Sequence, residues 1–269
     1  MKTDYLLFRN SHIHYTQYGH GPDLLFCFHG YGEDARSFAV LEETLGERFT
    51  LIAVDFPFHG NTDWQEGLLF DPSDMLSIID ILNPSRQQMH FLGYSMGGRV
   101  ALQLLQLIPQ QVSKVVLIAT DGLHKNKWQW LATRTKLGNR LFAFSMKHPF
   151  IMNGLLDLLS RLGIYNNSLL KFIHYYLDDV EQRMTLYRRW TTMRMFRPRL
   201  SVLKDIIQKN KIPVKMLFGK YDRVILAKHG HHFSKNAGDL VTVTEIEAGH
   251  QLLREKHVSL IAELLVNGE

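Results

Sequence analysis

The stretch "MHFLGYSMGGRVAL", residues 89–102, passes from an apolar run into an amphipathic helical pattern. Ser95 lies at the junction, with Gly93 two residues before it and Gly97 two residues after it. Where a buried strand turns sharply into a helix, the turning residue is strained and its neighbours at these two positions crowd together, a clash that glycine relieves. The pattern therefore predicts a strand–turn–helix that raises the Ser95 hydroxyl above a sheet.

Strand and helix patterns alternate along most of the chain. Two alternating stretches on either side of Ser11 predict an antiparallel hairpin. Short apolar runs typical of buried strands follow at 24–29, 50–55, 89–94, 114–120, 214–219 and 241–246. Helical patterns lie between most of them, for example Arg36–Leu45, Pro72–Leu82 and Met96–Leu107. This alternation predicts an α/β fold with a mostly parallel central sheet and helices on both faces.

The alternation stops between residues 121 and 204. This segment has no convincing strand pattern and is rich in Leu, Phe, Met, Tyr and Arg. Residues 141–163 predict two helices broken at His148–Pro149, because proline ends or kinks a helix. We therefore expect a core formed by residues 1–120 and 205–269, with an inserted helical cap, or lid, at 121–204.

Composition limits the class of protein. A chain of 269 residues can form one large domain with an insertion. Its single cysteine, Cys27, allows no internal disulfide. The N-terminal residues lack the apolar core of a signal peptide, and no run of about 18 apolar residues predicts a membrane span. We therefore expect a cytoplasmic protein without a membrane span.

The positive charge is concentrated in the predicted insertion. The chain has a net charge of +5, yet residues 121–200 hold 14 Lys or Arg and only 5 Asp or Glu. A basic segment can indicate nucleic-acid binding. No glycine-rich phosphate loop, zinc-ligand spacing or RNA-binding aromatic motif accompanies it, so we expect a small-molecule substrate and no nucleic-acid partner.

A serine nucleophile needs a base and a carboxylate. A hydroxyl is a weak nucleophile until a base removes its proton. His250 follows the last strand and a glycine, where a loop can reach Ser95. A carboxylate must orient that imidazole, and two candidates follow strands: Asp222, which we favour, and Asp121 as the alternative acid.

Backbone N–H groups could stabilise a developing oxyanion. The "FHGYG" turn, residues 28–32, follows an apolar run, so the N–H of Tyr31 could join that of Met96 in an oxyanion hole.

A metal site is not indicated. The histidine-rich "KHGHHF", residues 228–233, has no nearby carboxylate at ligand spacing. We therefore expect no metal and no organic cofactor.

The order Ser95, Asp222, His250, with the "HGYG" turn before them, resembles the α/β-hydrolase superfamily. The resemblance covers residues 1–120 and about 205–269. "DFPFHGNT" (55–62) is similar to the family loop D-x-P-G-x-G-x-S, and "GHQLLREKH" (249–257) is similar to G-H-x4-E-x-P. The departures are Phe58 for glycine, Thr62 for serine and His257 near the usual proline.

The resemblance implies a helical cap at 121–204 over the active site. It also implies hydrolysis of a small carboxylic ester or thioester by a serine esterase, through an acyl-enzyme, with activity that rises with pH as the imidazole loses its proton. Members with an aspartate nucleophile are disfavoured because Ser95 occupies the turn.

Two alternatives remain open at this point. The elbow "GYSMGGRVAL" is similar to that of the succinyl-hydroxycyclohexadiene-carboxylate synthases, which implies a lyase or C–C bond hydrolase acting on an anionic substrate. Arginines of the basic segment could bind such an anion, among them Arg134, Arg188, Arg189 and Arg194. The third hypothesis is a non-catalytic binding module with a hydrolase-like fold.

Overall fold

The computed structural model describes residues 1–124, 127–148, 150, 154, 179–235 and 237–266. The strands are β1 (Lys2–Phe8), β2 (Ser11–Tyr18), β3 (Asp23–Phe28), β4 (Phe49–Val54), β5 (Met89–Tyr94), β6 (Val112–Ile118), β7 (Val214–Gly219) and β8 (Val241–Ile246). The α-helices are α1 (Glu42–Leu45), α2 (Pro72–Leu82), α3 (Met96–Leu107), α4 (Lys127–Arg134), α5 (Lys136–Lys147), α6 (Val180–Thr192), α7 (Leu200–Asn210), α8 (Lys228–Ser234) and α9 (Val258–Val266). Short 3-10 helices span Ala35–Leu41, Pro109–Gln111, Met193–Met195 and Glu255–His257.

The eight strands form one sheet in the order β1-β2-β4-β3-β5-β6-β7-β8. β2 is antiparallel to both β1 and β4, whereas every pairing from β4 to β8 is parallel. The predicted hairpin and mostly parallel sheet are therefore confirmed. The strand order reverses at β3 and β5, and in open α/β sheets the crevice beyond the carboxyl ends of such strands is where ligands bind.

Two groups of helices pack on this sheet. α2, α3 and α7 form one contiguous group around β5, and α1, α9 and the first 3-10 helix form another. The central strands are buried along nearly their whole length, as expected for parallel strands covered on both faces. None of the helices in the described ranges combines the length and the apolar character that a membrane span requires.

The helical pattern at Arg36–Leu45 forms two types of helix. Residues Ala35–Leu41 form a 3-10 helix, and only Glu42–Leu45 is α-helical. The buried residues Ala35, Phe38 and Leu41 recur every three positions, which matches the three-residue turn of a 3-10 helix rather than the 3.6-residue turn of an α-helix.

The chain divides into two compact units. Unit 1 contains residues 1–66, 71–124 and 195–269, and so holds the whole sheet; unit 2 contains 67–70 and 125–194. In the described part of unit 2 the regular elements are all helical, and α5 ends at Lys147, directly before the predicted break. The second helix predicted within 141–163 lies outside the described residues, apart from positions 150 and 154. That residues 121–204 act as a cap remains a prediction.

Unit 2 has its own small core. Met146 is buried and packs against Phe142, Met184, Leu186 and Tyr187, which joins α5 to α6. A buried arginine also links the two helices: the Arg183 side-chain Nε donates a hydrogen bond to the Met146 backbone carbonyl at 2.9 Å. The charged residues of this segment are therefore not all directed to solvent.

Candidate active site

Ser95 forms a strained turn between β5 and α3. Its φ is 50° and its ψ is −115°, a left-handed conformation that costs a non-glycine residue about 1–3 kcal/mol. Two backbone hydrogen bonds to the segment of β6 and its following loop hold it there. Ser95 N–H donates to the Ile118 carbonyl at 2.9 Å, and Asp121 N–H donates to the Ser95 carbonyl at 2.9 Å.

The flanking glycines are required by close approach. A Cβ on Gly97 would lie 1.8 Å from the Phe28 carbonyl oxygen, and one on Gly93 would lie 2.6 Å from the Gly98 Cα. Both distances are far inside van der Waals contact, and the atoms that are met belong to the backbone. The G-x-S-x-G spacing therefore lets α3 begin directly against the end of β3.

We expect Gly97→Ala to destabilise the protein. Its methyl group would push the start of α3 away from Phe28, which we expect to cost about 3 kcal/mol and to lower Tm by about 6–12 °C. Thermal unfolding followed by circular dichroism measures this. Gly249→Ala is the control, because a Cβ there meets nothing within 4 Å; an equal loss in both variants would contradict the steric account.

The His250 imidazole joins Ser95 to Asp222. Asp222 lies in the loop after β7 and His250 in the loop after β8, at the same sheet edge as Ser95. His250 Nδ1 is 2.7 Å from Asp222 Oδ2, and His250 Nε2 is 3.1 Å from Ser95 Oγ. The Asp222 side chain is fully buried, whereas that of His250 is 23% exposed. A proton could therefore pass between the hydroxyl and the ring, with the carboxylate behind the ring.

The surroundings of Asp222 keep its carboxyl ionised. Burial alone would raise its pKa, but the hydrogen bond with His250, the backbone N–H groups of Ile225 and Val224, and the charge of the imidazole outweigh burial and lower the pKa below its ordinary value. Asp222 Oδ1 accepts from Val224 N–H at 2.7 Å and from Ile225 N–H at 2.9 Å. Because these bonds occupy Oδ1, Oδ2 is the oxygen that faces His250.

The alternative acid, Asp121, does not contact the His250 imidazole in the described hydrogen bonds. Its Oδ2 lies 3.3 Å from Arg99 Nη1, and its Oδ1 accepts from Gly122 N–H at 2.6 Å. The structure thus places Asp222 rather than Asp121 beside His250.

The turn after β3 lies against Ser95. A Cβ on Gly30 would be 3.3 Å from the Ser95 Cβ, and Gly30 directly precedes Tyr31. The turn closes through a hydrogen bond from Glu33 N–H to the Gly30 carbonyl, 3.3 Å long. Met96, the other expected donor, is the first residue of α3, where backbone N–H groups have no partner within the helix.

The sequence analysis missed two residues beside His250. The Tyr94 hydroxyl donates to the His250 carbonyl at 3.2 Å. Burial raises the pKa of the Glu33 carboxyl above its ordinary value, although the Ser37 hydrogen bond and the charges of Arg254 and His250 act in the opposite direction. Glu33 Oε2 is buried and has no hydrogen-bond partner among the described residues. The only sequence signal for them is that Tyr94 directly precedes Ser95 and that Glu33 directly follows the turn of residues 28–32.

Two of the three histidines at 228–233 contact residues outside that stretch. His231 Nε2 lies 2.5 Å from Glu245 Oε1, and the His229 ring stacks on that of His124 with a centroid separation of 4.6 Å. Within the described ranges, no three His, Cys, Asp or Glu side chains come together as a set of metal ligands.

Arg194, one of the arginines considered for anion binding, holds the backbone of unit 2. Its Nη1 donates to the Thr191 carbonyl at 2.6 Å and also to the Leu68 carbonyl. Burial and the nearby charge of Arg134 lower its pKa below the ordinary value. The Arg134 Nη1 in turn donates to the Arg194 carbonyl at 3.4 Å. Arg194 is therefore better explained by packing of its own unit.

The chain is similar to known proteins of one family. The family model described as alpha/beta hydrolase fold matches residues 23–162, just over half of the chain. The chain is 24% identical over 263 residues to the uncharacterized hydrolase YugF of Bacillus subtilis (strain 168), which covers 93% of this chain and 92% of that protein. It is 29% identical over 130 residues to a pimeloyl-(acyl-carrier protein) methyl ester esterase of Aeromonas salmonicida, or 47% of this chain and 50% of the esterase.

Solved structures agree on the fold. A thermophilic esterase from Thermogutta terrifontis superposes with a TM-score of 0.67 at 16% sequence identity, over 98% of both chains. At this identity the likeness concerns the fold alone. Together with the family match and the observed sheet order, it leads to one conclusion: the chain belongs to the alpha/beta hydrolase fold family.

Proposed function

We propose that the protein is a serine hydrolase that cleaves a small carboxylic ester or thioester through an acyl-enzyme. The observation that carries the proposal is the His250 imidazole lying within hydrogen-bond reach of both the Ser95 hydroxyl and the Asp222 carboxylate. These are the distances over which a base can take the proton of a nucleophile.

Acylation begins with the Ser95 hydroxyl. His250 Nε2 takes its proton while Oγ attacks the ester carbonyl, and Asp222 stabilises the imidazolium that forms. The N–H groups of Tyr31 and Met96 stabilise the tetrahedral oxyanion, each donor contributing about 3 kcal/mol. The carbon–oxygen or carbon–sulfur bond then breaks, and His250 returns the proton to the leaving alcohol or thiol.

Deacylation repeats the steps with water. His250 removes a proton from the water that attacks the acyl-enzyme, and it gives that proton to Ser95 Oγ as the carboxylic acid departs. Every proton is carried by this one imidazole, so the mechanism needs no metal and no organic cofactor. The named esterase among the relatives supports an ester as the substrate class.

A panel of p-nitrophenyl esters from acetyl to octanoyl tests the proposal. We expect the purified protein to hydrolyse at least the short esters and to be labelled by a fluorophosphonate probe, because both reactions need an activated serine. A protein that reacts with neither would be a binding module of the same fold, and the proposal would be wrong.

The basic segment favours a second candidate. The excess of nine positive charges in residues 121–200 would attract an anionic substrate for a lyase or C–C bond hydrolase of this fold. We expect kcat/KM for acidic substrates to fall from low to high salt, since salt screens exposed charges over about 10 Å at 0.1 M. Equal salt dependence for neutral and acidic substrates would remove this candidate.

A further inference from the structure

Unit 1 contains a second pair of histidine and aspartate in close contact. His14 Nδ1 lies 2.7 Å from Asp55 Oδ2, the same distance as in the pair at Ser95. Here, however, the His14 side chain is 4% exposed and the Asp55 side chain 1% exposed. The proposed mechanism does not use this pair.

The His14–Asp55 pair has no nucleophile positioned as Ser95 is. His14 Nε2 contacts the Thr3 hydroxyl at 3.1 Å, and that hydroxyl also contacts Thr16 Oγ1 at 3.1 Å. Thr3 lies within the extended strand β1, where no strained turn or helix start aims N–H groups at it. The array of hydroxyl, imidazole and carboxylate is therefore a hydrogen-bonded brace between strands.

The brace holds the loop that follows β3. Asp55 Oδ1 accepts from Ala35 N–H at 2.6 Å, at the far end of the turn that contains Tyr31. Asp55 Oδ2 accepts from Asn61 N–H at 2.9 Å as well as facing His14. A Cβ on Gly60 would lie 1.9 Å from that oxygen, so the loop after β4 packs tightly around the carboxylate.

Phe56, which follows Asp55, holds the other end of the turn formed by residues 29–35. Phe56 N–H donates to His29 Nε2 at 3.1 Å, and the other ring nitrogen, Nδ1, donates to the Gly30 carbonyl at 2.8 Å. Residues 55 and 56 thus hold the segment 29–35 at both of its ends. Tyr31 lies between the two attachment points.

We propose that Asp55, braced by His14, is a positioning residue that fixes the turn of residues 29–35 so that the Tyr31 N–H is aimed at the oxyanion. The inference rests on the proposed function. Asp55 does not touch Ser95 or His250 in the described contacts; it acts through the backbone of the turn. Misplacement of a donor by about 1 Å can cost about 100-fold in rate, so a distant brace can matter for catalysis.

Two substitutions of Asp55 remove its hydrogen bonds to different extents. Asp55→Ala removes all three accepted hydrogen bonds, whereas Asp55→Asn keeps one oxygen for Ala35 N–H. We expect kcat/KM for p-nitrophenyl acetate to fall about 100-fold in Asp55→Ala and about tenfold in Asp55→Asn. Affinity for a trifluoromethyl ketone, whose serine adduct carries an oxyanion, should fall by the same factors, while inhibition by the product acid stays within about twofold.

Asp74→Asn is the matched control. Asp74 is also a buried carboxylate of unit 1, paired with Arg9 at 2.6 Å and accepting from Asp71 N–H at 2.9 Å, and none of its hydrogen bonds with described residues reaches the turn. We expect it to lower Tm and to leave ketone affinity unchanged. If Asp55→Ala fails to fold, Asp55→Asn and His14→Gln carry the test.

The outcomes separate the two proposals. Ketone affinity that is unchanged in Asp55→Asn and His14→Gln, or that falls equally in Asp74→Asn, would overturn the positioning role while the hydrolase proposal stands. A wild-type protein that neither hydrolyses esters nor binds the ketone would instead overturn the hydrolase proposal.

Discussion

Ser95→Ala is expected to lower kcat for ester hydrolysis by about 10⁶-fold, because removal of a catalytic serine leaves only the stabilisation that the remaining site gives to attack by water. The hydroxyl hydrogen-bonds to His250 and to no other described side chain, and the His250 ring that loses this partner is 23% exposed, so water can replace the hydroxyl. We therefore expect Tm to change by less than about 2 °C, and fluorophosphonate labelling to disappear.

A surface serine provides the control for this substitution. Ser113 donates a hydrogen bond to Gln88 at the exposed start of β6, so Ser113→Ala should retain wild-type turnover and labelling. Steady-state hydrolysis of p-nitrophenyl acetate, with label incorporation measured by mass spectrometry, compares the two variants. Ser95→Ala turnover within tenfold of wild type would exclude Ser95 as the nucleophile.

The strands could be predicted from the sequence because buried parallel strands carry their own signal. The runs at 89–94, 214–219 and 241–246 coincide with β5, β7 and β8, and the other three differ from the observed strands by one or two residues at each end. The helical pattern at 36–45 is confirmed as helical, and its three-residue apolar repeat explains why the first part is a 3-10 helix. Pattern length predicts where an element lies more reliably than which helix it forms.

The choice between Asp222 and Asp121 needed the structure. Each follows a strand of the parallel sheet, so both are expected at the same edge. What separates them is the sheet order: Asp121 follows β6, beside the start of α3, where Arg99 reaches it, whereas Asp222 follows β7, directly beside β8 and its loop to His250. The sequence of a strand does not reveal which strands lie beside it in the sheet, so this choice could not be made from the sequence.

The brace at Asp55 was not predictable either. His14 and Asp55 are 41 positions apart in the sequence. His14 lies in β2, whose alternating pattern predicts only one strand of a hairpin. The motif similarity at residues 55–62 pointed to the loop but not to its partners. Phe58, which replaces the family glycine, adopts a φ of 63°, so the loop keeps the left-handed backbone that a glycine would favour.

Asp222→Asn is expected to lower kcat by about 10⁴-fold by holding His250 in the wrong tautomer. The N–H groups of Val224 and Ile225 require an oxygen, so the amide oxygen of asparagine will face them and its NH₂ group will face His250. An NH₂ group donates, which leaves Nδ1 as the acceptor and places the ring proton on Nε2. That nitrogen then cannot take the proton of Ser95.

Asp121→Asn is the matched control, because Asp121 pairs with Arg99 rather than with the imidazole. We expect it to keep kcat within about threefold of wild type, and the two variants are compared in the same ester assay. NMR of the imidazole nitrogens would report the tautomer in Asp222→Asn directly. Loss of activity in Asp121→Asn with retention in Asp222→Asn would reverse the assignment of the acid. The carboxylate that orients His250 decides which ring nitrogen carries the proton, so replacing that carboxylate by an amide must change the tautomer and the activity.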